Sequence, residues 1–271
     1  MKKLLSTVFL AGLLTVLLHT AVFAGEATVD TSTADKGYVT ATFTGVEGLP
    51  LRVQVEKGSE SYNFPPASET VTIPLIFGAG DYKIMLFEGA GGNQYRPVSS
   101  GAITELSVPA IDENALYTVS IQQINYAAST TAIPALKNLM AGQTTPIDQA
   151  TAVYNDIVTT FSYDVELAAK VGAGQAAGYV PVIDTVYSEK KGICYGYSAV
   201  FGGALRSQGI PTRMVQGYIP ELPGTFHAWN EVLIDGKWVA TDLTIDAEAY
   251  KAGAEYQLAR DRSSAQVVRI F

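Results

Sequence analysis

Cysteine is almost missing from this chain: Cys194 is the only one in 271 residues. An intrachain disulfide is therefore excluded, whatever the redox compartment. Histidine is nearly as scarce, with His19 and His227 alone. One thiol and so few imidazoles fall short of the four nitrogen and sulfur ligands that a structural zinc site needs. No EF-hand calcium loop and no glycine-rich phosphate-binding motif occurs either, so no cofactor is expected. Basic residues are also under-represented, 18 Lys and Arg against 26 Asp and Glu. An acidic surface argues against nucleic acid and anionic membranes as partners.

Long apolar runs are missing too, with one exception at the start. Lys2 and Lys3 precede an almost unbroken apolar stretch over residues 4–18, and Val22-Phe23-Ala24 follows with small residues where a signal peptidase reads. This pattern predicts a secretory signal over residues 1–24, cleaved after Ala24. The run is shorter than the ~20 residues a spanning helix needs, and no cysteine follows it to carry a lipid. Losing Lys2 and Lys3 leaves 16 basic against 26 acidic residues, a mature net charge of about −10. The expected location is secreted or extracytoplasmic. No membrane contact is expected once the signal is gone.

What the sequence does contain divides into two patterns. Residues 25–36 are polar and Thr/Ala-rich and read as a loose lead. From Tyr38 the pattern is β: residues 38–43, 51–55, 70–76, 82–87, 103–108 and 117–124 are rich in β-branched and aromatic residues, separated at short intervals by Gly, Pro, Asn and Ser. Such spacing predicts a β-sandwich over residues 25–127, immunoglobulin-like in architecture only, since the paired cysteines and core tryptophan of antibody domains are lacking. No catalytic constellation occurs there.

Beyond about residue 130 the period becomes helical, and residues 128–271 are read as a second, α+β domain. Thr145-Pro146 opens a helix with Asp148 three residues after the cap. Ile147, Ala150, Tyr154, Ile157 and Phe161 recur at three- and four-residue steps and predict a core stripe. Short helices are expected over residues 164–171 and 182–190. Gly192-Ile193-Cys194 then begins another helix, whose face carries Tyr197, Phe201 and Ala204 and which Gly209 and Pro211 end. A lone cysteine is by default a small buried hydrophobe. A helix start is a different setting: its free N–H groups favour negative charge, the thiolate is the reactive form of cysteine, and the same groups can hold an oxyanion.

A strand is expected over residues 212–218, and another opens at His227-Ala228-Trp229. Asp235-Gly236 is a hairpin signal, with a partner strand over residues 237–242. If Asp235 and Gly236 form the loop, Ile234 faces Lys237, Asn230 faces Thr241 and His227 faces Thr244. Asp242 is then a diagonal neighbour of His227, within reach of the ring, where a carboxylate fixes the tautomer and stabilises imidazolium. An Asp at a strand end is otherwise a turn or cap residue. Tyr163, Tyr187, Tyr197 and Tyr218 are read as packing.

The blocks GICYGYSAVFGGALRSQGIP and HAWNEVLIDGKWVATDLT resemble the core of the transglutaminase-like superfamily over roughly residues 134–246. The resemblance implies a papain-like fold in which Cys194 is the nucleophile, His227 its base and Asp242 the group that orients the histidine. It implies an enzyme acting on amide bonds through a thioester: a peptidase, a deamidase or a transglutaminase. Its substrate would be an extracellular protein or peptide, a cell-wall peptide included. Gln175 is a candidate oxyanion donor, by analogy with an upstream glutamine of papain relatives. Tyr195 and Trp229 are candidate substrate-binding residues. The alternative is an extracellular binding or scaffold protein with an inactive transglutaminase-like fold.

Overall fold

The computed structural model describes residues 25–92, 94–176 and 178–271; the expected secretory signal lies outside the described residues. The first part of the chain is antiparallel β-structure: β1 (Glu26–Asp30), β2 (Tyr38–Thr44), β3 (Leu51–Lys57), β4 (Glu60–Phe64), β5 (Thr70–Pro74), β6 (Gly80–Gly91), β7 (Gln94–Pro97) and β8 (Ile103–Val108). One sheet has the order β1-β2-β5. The other has the order β4-β3-β6-β7, and β8 also pairs with β6. Period-two alternation drives both: Val39, Ala41 and Phe43 of β2 are buried, as are Val53 and Val55 of β3.

Besides β4 and β7, which fall outside the expected β runs, two segments differ from the sequence expectation. The polar lead contains β1, which pairs with β2 from Glu26↔Thr44 to Asp30↔Thr40. A short edge strand buries only Ala27 fully, so its period was hidden in a Thr/Ala-rich composition. Residues 117–124, expected as a strand, form turns after α1 (Glu113–Leu116), with a single bridge between Ile121 and Ile124. Their β-branched side chains serve burial rather than pairing. Gln122 fixes this crossing, donating to Pro65 O and accepting from Ala67 N, both at 2.8 Å.

The remainder is α+β: α2 (Ala132–Met140), α3 (Pro146–Thr160), β9 (Ser162–Tyr163), α4 (Val165–Gly172), α5 (Ile183–Glu189), β10 (Lys191–Gly192), α6 (Cys194–Arg206), β11 (Thr212–Tyr218), β12 (His227–Ile234), β13 (Lys237–Thr241), α7 (Leu243–Lys251) and β14 (Gln266–Ile270). The antiparallel sheet β13-β12-β11-β14 packs against α6. Thr145 caps α3 by accepting from Asp148 N, as its sequence predicts. The core stripe of α3 holds from Ala150 to Phe161, but Ile147 in the first turn is 37% exposed, because it precedes the helix's contact with its neighbours.

Helix α6 is apolar on every side and is buried from Gly196 to Arg206, so it is a central helix rather than an amphipathic one. Its hydrophobic cluster runs on without a break into the N-terminal sheets, and the Phe271 ring meets Tyr62 edge-on at 6.1 Å. Arg206 ends the helix inside this core. It donates at 2.8 Å to each of three backbone oxygens, those of Thr212, Val119 and Phe271. Burial depresses its pKa to about 9. Those bonds offset the cost of a buried guanidinium and join the helix to β11, to the crossing segment and to the strand β14 end. Arg206→Leu strands three acceptors and is expected to cost on the order of 3 kcal/mol, read as a lower urea midpoint.

Candidate active site

Three local structures converge on one cleft. The first is the start of α6. The pair β9–β10 is parallel, Lys191 beside Ser162 and Gly192 beside Tyr163, and Asp164 N donates to Gly192 O at 2.8 Å. This clasp fixes the chain just before Cys194. Ile193, the residue that precedes the helix, supplies no side-chain cap. The first-turn N–H groups therefore remain available to a ligand at the cysteine. Cys194 itself is partly exposed.

The second is the start of β12. His227 is 2% exposed and pairs with Gly217 of β11. The third is the end of β13. The hairpin turn takes the expected form, with Asp235 at φ 49° and Gly236 at φ 73°, and the register runs from Ile234↔Lys237 to Asn230↔Thr241. The expected pairing of His227 with Thr244 does not form. The strand stops at Thr241 and the chain turns into α7, so Asp242 reaches the histidine from a helix cap. Its Oδ1 accepts from Ile245 N at 3.2 Å, and its Oδ2 lies 2.8 Å from His227 Nε2. Cap and partner of the histidine are thus one carboxylate.

With Nε2 engaged by Asp242, Nδ1 is left for Cys194, which lines the same cleft as the ring. Burial opposes a charged imidazole, but the hydrogen bond to Asp242, and the charges of Asp242 and Cys194, outweigh it and push His227 up to about 9. Burial likewise opposes ionisation of Asp242, yet His227 and Arg262 together hold its carboxyl below the usual carboxylate range.

Arg262 is the residue that sequence reasoning missed most completely. Its side chain is only 5% exposed, with Nη2 at 2.6 Å from Asp242 Oδ2 and Nη1 at 2.6 Å from Glu221 Oε1. It connects the acid to the loop between β11 and β12. It lies 20 residues beyond Asp242 in an irregular segment, where no periodicity marks it.

The cleft beside Cys194 and His227 has a volume of about 640 Å³. Tyr163, Tyr179, Tyr195 and Gln216 line it, and Phe226 stands at one wall. Tyr195, the candidate substrate-binding residue, is thus among the residues that line the cleft. Tyr163, read as packing, faces the cleft: burial and then the nearby Cys194 raise its pKa to about 12. Trp229 does not line the cleft. It is 1% exposed and packs with Val215 and Ile219, its ring stacked 6.4 Å from the imidazole at 20°. Residues 227 and 229 share one strand face, so the indole lies behind the histidine rather than in front of the thiol. Gln175 does not line the cleft either. It is exposed on the turn after α4, its N–H spent on Lys170 O at 2.9 Å.

The raised histidine predicts a pH effect on stability. The folded protein binds the His227 proton more tightly than the unfolded chain. Its contribution is fully present below about pH 6.5 and is lost as pH rises through about 9. The urea midpoint is expected to fall across that window, and His227→Gln to flatten the fall.

Residues 134–243 match the family model described as the Transglutaminase-like superfamily. The chain thus carries a transglutaminase-like core, and all three converging residues fall within it. No curated protein matches the chain. Among solved structures, a TGase is 25% identical over 49% of this chain and 36% of its own, with a TM-score of 0.36. A protein from Cytophaga hutchinsonii assigned as a cysteine protease is 13% identical over 92% of this chain and 84% of its own, with a TM-score of 0.43. The transglutaminase of red sea bream is 11% identical over 76% of this chain and 48% of its own, with a TM-score of 0.30. The chain spans about a third of the length of the first of these and about half of the last.

Proposed function

We propose that this chain is an exported enzyme that acts on amide bonds of proteins or peptides with Cys194 as nucleophile. The observation that carries the reading is a buried imidazole held between a carboxylate and a partly exposed thiol at the mouth of a cleft. His227 takes the thiol proton, and the Cys194 sulfur attacks the amide carbonyl, forming the C–S bond while the carbonyl π pair moves onto oxygen. As that pair returns, the C–N bond breaks and imidazolium gives its proton to the departing amine. His227 then takes a proton from water or from a second amine, whose attack releases the thioester. Asp242 holds the ring in one tautomer throughout, and Arg262 holds Asp242.

The lining of the cleft contains no Lys, Arg, Asp or Glu among the described residues. This supports neutral side chains next to the reacting carbonyl, in an extracellular protein, a peptide or a cell-wall peptide. Export rests on the N-terminal sequence. Residues 25–127 are proposed as an immunoglobulin-like unit that spaces or docks the catalytic residues 128–271. The test incubates the protein with a mixed peptide library, with and without a fluorescent primary amine. Peptide cleavage or ammonia release indicates water as acceptor, and labelled peptide indicates an amine. Absence of all three products, or their persistence in His227→Ala, contradicts the proposal.

Turnover should also report the histidine directly. Because imidazolium supplies the leaving group's proton, the rate is expected to decline as pH rises through about 9. A rate that keeps climbing beyond pH 10 would remove His227 from that role.

A further inference from the structure

The proposed reaction places negative charge on the carbonyl oxygen, and the expected donor, Gln175, is exposed and does not line the cleft. A different glutamine stands in the cleft. Gln216 of β11 is 8% exposed, lines the cavity with Cys194 and His227, and pairs with Ala228, next to His227. No hydrogen bond engages its carboxamide among the described residues. It lies on the strand face of Met214, two positions from it. Met214 pairs with Asn230, whose Nδ2 reaches Ser198 O of α6 at 3.2 Å, so this face of the sheet looks onto the cysteine helix.

The backbone explains why Gln216 faces the cavity at this point. The β11–β14 register slips between Gln216 and Gly217, a local irregularity of the kind that re-aims side chains beside active sites. The slip requires glycine: a Cβ at Gly217 would stand 2.1 Å from Gln266 O. The Gln216 carboxamide is open to the cavity rather than sealed in the core, and so is free to bond a ligand there. The uncapped first turn of α6 offers backbone N–H groups at the same cleft.

We propose that Gln216 donates its side-chain N–H to the carbonyl oxygen under attack, completing an oxyanion site with the first-turn amides of α6. The inference rests on Cys194 acting as the nucleophile. Attack forms the C–S bond and moves the carbonyl π pair onto oxygen, where both donors meet it. Return of the pair expels the leaving group and leaves the thioester.

Two probes separate this role from a general effect on the thiol. p-Nitrophenyl acetate acylates sulfur through a tetrahedral oxyanion and expels p-nitrophenolate. Iodoacetamide alkylates sulfur by displacement of iodide and forms no oxyanion. In Gln216→Met and Gln216→Glu, acylation of Cys194 is expected to slow by about 100-fold while alkylation stays within about twofold of the parent. Unchanged acylation overturns the proposal. Equal slowing of both reactions overturns it as well, since Gln216 would then position the thiol and imidazole. A parent protein inert to both probes sinks the nucleophile itself, an outcome distinct from failure of Gln216 alone.

Discussion

Cys194→Ala is expected to leave a folded protein with no measurable acyl transfer, a loss of at least about 10³-fold. The sulfur is the atom to which the acyl group would be bonded, so neither His227 nor the amides of α6 can substitute for it. In cysteine and serine enzymes the nucleophile and its base act as one unit, and their effects do not add. His227→Ala should therefore cost nearly as much as Cys194→Ala, and the double variant little more than either. Parallel kinetics on the three variants check this. Fold loss is a poor explanation for the cysteine variant, because Cys194 is partly exposed and a small side chain replaces a small one. Its urea midpoint is expected to shift by less than about 1 kcal/mol equivalent.

Asp242→Asn should have the second largest effect, about 10²- to 10⁴-fold in turnover, with little change in KM. Asparagine keeps an acceptor for Ile245 N, so the cap on α7 survives with a loss of only a few tenths of a kcal/mol. What it removes is the charge. Imidazolium then lacks its partner, and Arg262, 5% exposed, retains only Glu221. Removing one member of a buried charged set costs about 3–5 kcal/mol, mainly because the others stay buried. Without the carboxylate that helps raise His227 to about 9, the falling limb of the pH–rate profile should move toward the ordinary histidine range. A variant that loses stability but keeps its pH profile would give Asp242 a structural role alone.

Much of this site was legible because its three residues sit where local rules speak loudly. Glycine before a cysteine at a helix start, a histidine opening a strand, and Asp-Gly between two strands each carry a backbone meaning. The hairpin register followed from the turn and held from Ile234 to Asn230. It failed one step later, because α7 begins at Leu243 and takes over from the strand. The contact with His227 survives through the cap, a geometry that strand counting does not contain.

Other parts depend on pairings that no local pattern announces. Gln216 owes its setting to a slip against β14, a strand whose residues are mostly exposed and show no alternation. Tyr163 reaches the cleft through a two-residue parallel pair with β10, far too short to read from sequence. Arg262 comes from an irregular stretch and is placed only by the charges it meets. Trp229 could have been assigned correctly: it shares parity with His227, which puts it behind the ring. Gln175 was favoured by position along the chain, yet it is exposed on the turn after α4, and its neighbour Ala176, not Gln175 itself, lines the cleft.

The central claim is a covalent bond between substrate acyl group and Cys194, and mass spectrometry of protein quenched in acid during turnover of an activated acyl donor observes it directly. One acyl group should be found on the peptide containing Cys194, appearing with the first turnover and absent from Cys194→Ala. Protein that turns over the donor with no acyl group on that peptide, or that carries it on lysines alone, would contradict the account.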